Sequence, residues 1–333
     1  NDIYNEGTIN ISGDGNVTFN SGLTGTSTAT ISNTGNIILN SDNSNYNGNF
    51  TQTEGSITVS NGSKFFVGTS TITGGTFNWN TNEDLDTNAT LTINGADFVL
   101  GDGTNNAKFT VNDTISLDNA SSITINSQGN LIYKADSTIK TIAGEGLLTV
   151  DGAKLTFDNN SNVSSDLSFE SKNDSSVEFS SITDTSSLLT TIMSGNNDNL
   201  TLIYNNSNIN SDLTIDGTKI SALELKNTVD ITSTITNNGT ITNFGDTTLN
   251  STITGTGSIT NDNGNLTIKS DASGFTGTFT QKNGSTTVED NAKIFGGSKD
   301  IQGGTLNVTS SSVIDYSNIK LSNGASYTHT TLT

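Results

Sequence analysis

The sequence predicts an all-β fold in which short parallel strands wind into a β-solenoid, also called a parallel β-helix. Three observations predict it: a long internal repeat without gaps, short segments of alternating apolar and polar residues, and the absence of proline from 333 residues. With roughly 20 residues per coil and strands about 4.8 Å apart, the chain would make about 16 coils and a rod about 80 Å long.

The internal repeat is the clearest feature. Residues 41–80 recur with variations as residues 270–309, at a constant separation of 229 residues from 41 to 270. Weaker matches extend the two copies to about 5–80 and 237–309, and residues 81–236 diverge. Self-similarity over this length indicates stacked like units. No linker interrupts the pattern, so we predict a single β-helix domain over residues 1–333. Matched positions are Ser41/Ser270, Asp42/Asp271, Gly48/Gly277, Phe50/Phe279, Gln52/Gln281, Gly55/Gly284, Val59/Val288, Lys64/Lys293, Phe66/Phe295, Ile72/Ile301 and Gly75/Gly304.

Individual strands are predicted by period-two alternation. Segments such as Ile57–Thr58–Val59 and Leu91–Thr92–Ile93 place apolar residues on one side and Thr or Ser on the other. This pattern is typical of a strand with one buried face. Asn and Gly at the corners between segments tolerate the positive φ of a sharp turn.

Such short strands are compatible with hairpins as well as with a winding coil. Two observations favour the coil. Long repeats without gaps suit a coil of fixed perimeter, and proline would remove a ladder hydrogen bond from strands that are nearly all central. The abundant Asn residues can bond to one another along a parallel stack.

One helix is a candidate within the divergent segment. Residues 184–193 have helical spacing of Leu188, Leu189, Ile192 and Met193, with Asp184 or Thr183 as the N-cap and Gly195 as the stop. An irregular coil explains the same residues equally well.

Charge and composition exclude several partners. The net charge is −20, and all thirteen basic residues are Lys. Without a basic stripe or any Arg, the chain lacks the features that bind nucleic acid or anionic lipid surfaces. It has no Cys, hence no disulfide framework or thiolate chemistry. No apolar run approaches the 18 residues of a membrane-spanning helix.

Residues 253–308 resemble the passenger-associated transport repeat of bacterial autotransporters. The resemblance is carried by a Gly-x-Gly pair, a Gly-x-Leu-x-Ile strand, an aromatic residue before Gly and a closing Gly-x-Leu-x-Val strand. In residues 23–80, Ser27 replaces the second Gly of the pair, and the clear resemblance covers about two fifths of the chain. The residues that carry it are Gly255, Gly257, Gly264, Leu266, Ile268, Phe275, Gly277, Gly304, Leu306 and Val308.

The resemblance implies a right-handed parallel β-helix that is exported to the surface of a Gram-negative bacterium. Such a passenger is anchored in the outer membrane through a barrel, which would lie outside these residues. The absence of Cys is consistent with the export of an unfolded chain. The motif marks architecture and export and does not identify a ligand.

Catalytic chemistry has few candidate residues. His329 is the one histidine in the sequence, and no Gly-x-Ser-x-Gly elbow accompanies it. It is therefore expected to be a surface residue. Glu83, Asp84 and Asp86 form the densest acidic cluster, which invites comparison with β-helix enzymes that cut polysaccharides. A solvated corner is the favoured interpretation, so we predict no enzyme activity and no catalytic, cofactor or metal site.

Asp-rich corners and threonine pairs suggest two other ligands. The corners around Asp14 and Asp102 faintly resemble oxygen-ligand loops for Ca²⁺, although neither matches a full calcium motif, and a plain turn is favoured. Threonine pairs on a solenoid face can order water and bind ice, but the pairs here come at uneven intervals. Thr is also simply a common outward residue of strands. The pairs are Thr28/Thr30, Thr71/Thr73, Thr90/Thr92, Thr234/Thr236, Thr240/Thr242 and Thr252/Thr254.

The few aromatic residues cluster at matching places in the two copies. Recurrence of this kind favours stacking in the core over a sugar-binding role for Trp79. The aromatic residues concerned are Phe65, Phe66, Phe77 and Trp79 in the first copy, and Phe275, Phe279 and Phe295 in the second.

The sequence therefore predicts an extracellular structural or adhesive rod at a bacterial surface, serving cell adhesion or display. Its expected partners are surface receptors, glycans or further copies of itself, with no nucleic acid. A subunit of an extracellular head-to-tail filament is the main alternative. A polysaccharide-acting enzyme and an ice-binding solenoid are less favoured alternatives.

Overall fold

The computed structural model describes residues 2–86, 88–163, 167–309 and 318–330. It is nearly all β, with about 3% helix, and forms a parallel β-solenoid of about 16 turns. The predicted fold class and the predicted number of coils are thus confirmed. The right-handed winding that the family resemblance implies stays a prediction.

The chain divides into two compact units. The first comprises Asn1–Leu155 and Asn160–Glu170, and the second comprises Thr156–Asn159 and Ser171–Thr333. Each unit contains one copy of the internal repeat. The prediction of a single domain over residues 1–333 stays a prediction.

The first twenty strands are short, most of them three to five residues long. In chain order they are β1 (Ile3–Asn5), β2 (Thr8–Ile11), β3 (Asn16–Phe19), β4 (Leu23–Gly25), β5 (Thr30–Asn33), β6 (Asn36–Leu39), β7 (Asn45–Tyr46), β8 (Asn49–Gln52), β9 (Ser56–Val59), β10 (Thr69–Ile72), β11 (Thr76–Trp79), β12 (Thr90–Asn94), β13 (Asp97–Leu100), β14 (Ala107–Val111), β15 (Ile115–Asn119), β16 (Ser122–Ile125), β17 (Gly129–Tyr133), β18 (Ser137–Gly144), β19 (Leu147–Asp151) and β20 (Lys154–Val163).

The remaining elements are one helix and eighteen strands. They are β21 (Ser168–Lys172), β22 (Ser176–Ser180), α1 (Ser186–Ser194), β23 (Leu200–Asn205), β24 (Leu213–Ile215), β25 (Ile220–Lys226), β26 (Thr228–Ile231), β27 (Ile235–Asn237), β28 (Thr240–Asn243), β29 (Asp246–Leu249), β30 (Ile253–Thr254), β31 (Ser258–Asn261), β32 (Asn265–Ile268), β33 (Thr278–Gln281), β34 (Ser285–Val288), β35 (Ser298–Ile301), β36 (Thr305–Val308), β37 (Ile319–Leu321) and β38 (Ser326–His329).

Each unit has several parallel sheets in which every strand pairs with a strand of the next coil. In the first unit, one sheet has the order β15-β12-β10-β8-β5-β2, and a neighbouring one contains β3-β6-β9-β11-β13-β16-β18. In the second unit, β22-β23-β25-β28-β31-β33-β35-β37 follow one another in one sheet and β26-β29-β32-β34-β36-β38 in another. Neighbouring strands of a sheet thus come from successive coils, and the described pairs are parallel, as in a winding coil and not in hairpins.

The core consists of columns of inward side chains. In β9, Ile57 and Val59 are fully buried, whereas Ser56 and Thr58 point outward. Parallel register places Ile57 between Ile37 and Phe77 of the adjacent coils. Each fully buried side chain of this kind contributes about 1.5–3 kcal/mol relative to exposure. The alternation predicted from the sequence is therefore the pattern that builds the core.

Aromatic packing is repeated in the two copies. The ring centroids of Phe50 and Phe66 lie 5.3 Å apart, and those of the equivalent Phe279 and Phe295 lie 4.9 Å apart. Trp79 is fully buried, and its indole Nε1 donates a hydrogen bond to the Lys108 carbonyl at 2.8 Å. The predicted aromatic core is confirmed, and Trp79 has no exposed face to offer a sugar.

A buried glutamine makes equivalent hydrogen bonds in both copies. Nε2 of Gln52 donates to the carbonyls of Gly74 and Thr76, at 3.1 and 3.2 Å. Nε2 of Gln281 donates to the equivalent carbonyls of Gly303 and Thr305, at 2.9 and 3.2 Å. Both glutamines are fully buried. Because buried polar groups are costly unless bonded, these amides tie each strand to a corner of the next coil.

The helix overlaps the predicted segment, residues 184–193, and is displaced toward the C-terminus by one to two residues. α1 begins after Thr185, which occupies the N-cap position without a side-chain cap bond, so the predicted N-cap, Asp184 or Thr183, is wrong. Asp184 lies one residue earlier, and its carboxylate accepts a hydrogen bond from the Ser186 backbone N–H at 2.9 Å. Gly195 follows the last turn, as predicted. Of the two interpretations that the sequence left open, the helical one is confirmed.

Candidate functional site

A regular polar surface of the first unit is the outward face of β2, β5, β8, β10 and β12. Register is continuous from strand to strand across this sheet, and a shift occurs only where β12 meets β15. Two rows of outward side chains therefore run across five coils. We call this surface the hydroxyl face, and it consists of Thr8, Asn10, Thr30, Ser32, Asn49, Thr51, Thr69, Thr71, Thr90 and Thr92.

The hydroxyl face carries no charged side chain, although the protein has 33 acidic residues. Its members are exposed or half-buried. Parallel strands lie about 4.8 Å apart and residues two positions apart lie about 6.6 Å apart, so the rows form a regular grid. One neighbouring pair is directly bonded, since the Thr30 hydroxyl donates to the Thr8 hydroxyl at 2.9 Å.

An equivalent face exists in the second unit. There β28, β31 and β33 pair without a register shift and correspond by the internal repeat to β2, β5 and β8. The outward positions here contain only Thr and Ser, without the Asn residues of the first face, and the Ser258 hydroxyl donates to the Thr240 hydroxyl at 3.3 Å. We call this surface the second hydroxyl face; it consists of Thr240, Thr242, Ser258, Thr260, Thr278 and Thr280.

The two copies differ at these positions without introducing charge. Asn49 is replaced by Thr278, and Ser32 is replaced by Thr260. One coil later a charged residue appears in the second copy, because Thr71 corresponds to Asp300. Asp300 forms an ion pair with Lys320 at 3.6 Å. The outward surface is therefore neutral in both copies over three coils, those of β2, β5 and β8 and of the equivalent β28, β31 and β33.

Sequence reasoning found only part of this surface. Thr90/Thr92 and Thr240/Thr242 are outward pairs within one strand, as predicted for that motif. Thr73, by contrast, lies beyond the end of β10 in a turn. Thr51 and Thr69 were missed because their neighbours in the rows are about twenty residues away and are aligned only by strand register. Uneven sequence intervals reflect corners of unequal length.

Charged residues of the first copy lie at corners, and a Lys–Asp ion pair joins adjacent coils at equivalent places in both copies. Lys64 contacts Asp42 at 3.1 Å, and the equivalent Lys293 contacts Asp271 at 2.5 Å. The hydrogen bond from Lys293 is the largest of the influences that lower the pKa of Asp271 to about 2. For Asp42, the hydrogen bond from the Ser44 hydroxyl is the main cause of the lowered pKa.

The acidic cluster of Glu83, Asp84 and Asp86 lies in the corner between β11 and β12. Asp84 forms an ion pair with Lys108 at 3.0 Å, and Asp86 accepts the Asn88 backbone N–H at 2.9 Å. These contacts are those of a corner tied to the next coil. The prediction of no catalytic site at this cluster stays a prediction.

The two Asp corners considered for Ca²⁺ are turns in the structure. Asp102 Oδ1 accepts hydrogen bonds from the backbone N–H groups of Thr104 and Asn105, both at 2.9 Å. These bonds, together with those from the two side chains, hold the pKa of Asp102 far below its usual value. Gly13, beside Asp14, has a φ of +90°. In the part of the chain that the structure describes, no three His, Asp or Glu side chains are grouped as a metal site.

His329 is exposed at the end of β38, where its backbone pairs with Val308 of β36. Its ring lies near that of Tyr327, with centroids 6.4 Å apart. This position agrees with the surface location expected from the sequence.

Comparison with known proteins gives no assignment. No family model, no curated protein and no solved structure matches this chain. Within the described residues, no helix is long and apolar enough to cross a membrane. The autotransporter resemblance therefore remains an inference from the residues quoted for it.

Proposed function

We propose that this protein is a structural and adhesive β-solenoid displayed at a bacterial cell surface. The observation that carries the proposal is the pair of neutral hydroxyl faces, which repeat Thr, Ser and Asn over successive coils beside corners that Lys–Asp pairs tie together. Corners of this kind tie one coil to the next, and the sheets present a repeated polar surface. The passenger-like repeat at residues 253–308 supports export.

The hydroxyl rows are the surface that we propose for adhesive contacts. Thr, Ser and Asn side chains both donate and accept hydrogen bonds, so they can meet neutral polar partners such as glycans or a second copy of the chain. With a net charge of −20, two copies repel one another over most orientations. Contacts through a neutral face avoid bringing like charges together.

Single contacts of this type are weak because hydroxyl groups are well solvated before binding. Adhesion would therefore depend on many molecules acting together, as multivalent attachment does. A displayed array on a cell supplies that multiplicity. The chemistry thus favours reversible attachment of cells to surfaces or to one another.

Binding of the purified chain, coupled to beads at high density, tests the proposal. We expect saturable attachment of these beads to bacterial or host cells, or bead–bead clustering, and loss of attachment when Thr30 and Thr51 are both replaced by Lys. Beads with Thr18→Lys and Thr58→Lys, on the neighbouring sheet, serve as the matched control. No attachment across broad cell and glycan panels, together with dispersed beads, would overturn the adhesive function.

The head-to-tail filament stays an alternative that microscopy addresses. Electron microscopy of the purified chain would show long fibres if the subunits add end to end. Monodisperse particles at high protein concentration would eliminate this alternative and leave adhesion by displayed monomers.

A further inference from the structure

The two hydroxyl faces present neutral rows of Thr side chains, which can hold water molecules in a regular arrangement. Thr supplies a hydroxyl that bonds water and a methyl group that restrains it. On β10 and β12 four of the five outward residues are Thr, namely Thr69, Thr71, Thr90 and Thr92, and the fifth is Asn94 at the end of β12. The paired register places each Thr beside its equivalent on the next coil.

The spacing of the rows is close to a spacing of ice. Hydrogen-bonded water oxygens about 2.8 Å apart in tetrahedral geometry put second neighbours about 4.5 Å apart. Strand-to-strand separation in the solenoid is about 4.8 Å. A hydroxyl row can therefore match successive oxygens of an ice lattice over several coils.

Side-chain composition distinguishes these faces from the neighbouring sheets, whose register is equally regular. Charged groups bind water strongly in their own geometry and interrupt an ice-like layer. The neighbouring sheets carry outward acids, Asp97 on β13 in the first unit and Asp246 on β29 in the second. Asp246 is itself bonded to Asn265 of the next coil at 2.7 Å. By contrast, the hydroxyl face carries only Thr, Ser and Asn across five coils. The second hydroxyl face carries only Thr and Ser across three coils, between Glu224 and Asp300 of the adjoining strands.

We propose that the hydroxyl face and the second hydroxyl face bind ice. The ligand is crystalline water, held by Thr and Ser hydroxyls in rows that follow the coil spacing. This activity goes beyond the proposed adhesive function and does not depend on it, since it needs no cell, glycan or second copy.

Ice recrystallisation and thermal hysteresis measured with the purified chain test the proposal. We expect the wild-type chain to arrest grain growth in a frozen sucrose solution and to shape ice crystals. The double variant Thr71→Lys/Thr260→Lys places a charge on each face and should lose both effects. The matched control is Thr58→Lys/Thr287→Lys, which alters repeat-equivalent residues of the neighbouring sheets and should retain them.

Unfolding midpoints measured for both double variants separate loss of binding from loss of fold. A wild-type chain that leaves ice growth unchanged would overturn the proposal whatever the variants do. Equal activity in the two double variants would also overturn it, because the effect would then not come from these faces. Neither result bears on attachment of beads to cells, so the adhesive function is judged separately.

Discussion

At the scale of single residues, the buried glutamines show how the solenoid closes its corners. Gln281 donates two hydrogen bonds to backbone carbonyls of the next coil, and its Oε1 accepts the Thr286 hydroxyl at 2.6 Å. An apolar side chain of similar size would fill the space and leave these groups without their partner. The amide thus stabilises the fold because it supplies hydrogen-bond partners to buried groups of neighbouring residues as well as to its own atoms.

Replacing Gln281 by Leu should lower the free energy of unfolding by about 1–3 kcal/mol, the cost of a buried polar group left unbonded. Urea unfolding followed by circular dichroism measures the loss. Thr280→Ala, at the adjacent outward position, is the control and should change stability by less than about 0.5 kcal/mol. Equal losses in the two variants would contradict the role assigned to the amide.

Glycine at a close approach between coils is a second residue-scale requirement. A Cβ atom on Gly68 would lie 1.9 Å from the Gly48 carbonyl oxygen, and one on Gly297 would lie 1.8 Å from that of Gly277. Both distances are far inside van der Waals contact. The equivalent glycines of the two copies therefore set how closely successive coils stack.

Gly68→Ala should lower the free energy of unfolding by about 1–3 kcal/mol or more, the range seen when a well-packed core is overfilled. Gly15 provides the matched control because no atom lies within 4 Å of a Cβ added there. The measurement is the midpoint of thermal unfolding. A Gly15→Ala midpoint that falls as far as that of Gly68→Ala would show that close stacking is not the cause.

At the scale of the elements, ion pairs link adjacent corners. Asp271 and Lys293 form an isolated parallel bridge as well as an ion pair, and Asp42 and Lys64 do the same in the first copy. The Asp271 carboxylate also accepts the Ser273 backbone N–H at 3.0 Å. A charged carboxylate at this position therefore stabilises the corner.

The lowered pKa of Asp271, about 2 against about 3.9 in an unfolded chain, fixes the direction of the pH effect. Its stabilisation is complete above the unfolded value and is lost as pH falls through the folded value. Asp271→Asn should therefore reduce stability at pH 7 and have almost no effect at pH 2. Urea unfolding at the two pH values measures this, and Asp14→Asn is the exposed control. A loss at pH 2 as large as at pH 7 would contradict the prediction.

The strands could be predicted from the sequence, but the rows of side chains on their outer surfaces could not. Alternation in segments such as Ile57–Thr58–Val59 predicts a strand and its buried side, because that information is local. The alignment of Thr51 with Thr71 depends on how many residues each corner uses, which only the strand register shows. The helix at Ser186–Ser194 was ambiguous because its apolar spacing also suits an irregular coil.

At the scale of the whole molecule, each of the two compact units contains one repeat copy and has its own stability. The stability of repeat proteins is close to a sum of local terms, because each coil contacts mainly its neighbours. Gly68 lies in the first unit and Gly297 in the second. A substitution at Gly68 therefore strains the first unit, and one at Gly297 strains the second.

We expect chemical unfolding of the whole chain to show two transitions, of which Gly68→Ala lowers one midpoint and Gly297→Ala lowers the other. The substitutions are matched, since they place the same atom against equivalent carbonyl oxygens. Circular dichroism gives the total loss of structure, and the fluorescence of Trp79 reports on the first unit alone, because the chain has a single Trp. A single transition in all three proteins, with the Trp79 signal equally lowered by both substitutions, would contradict independent units. It would instead support the single cooperative domain that the sequence predicts.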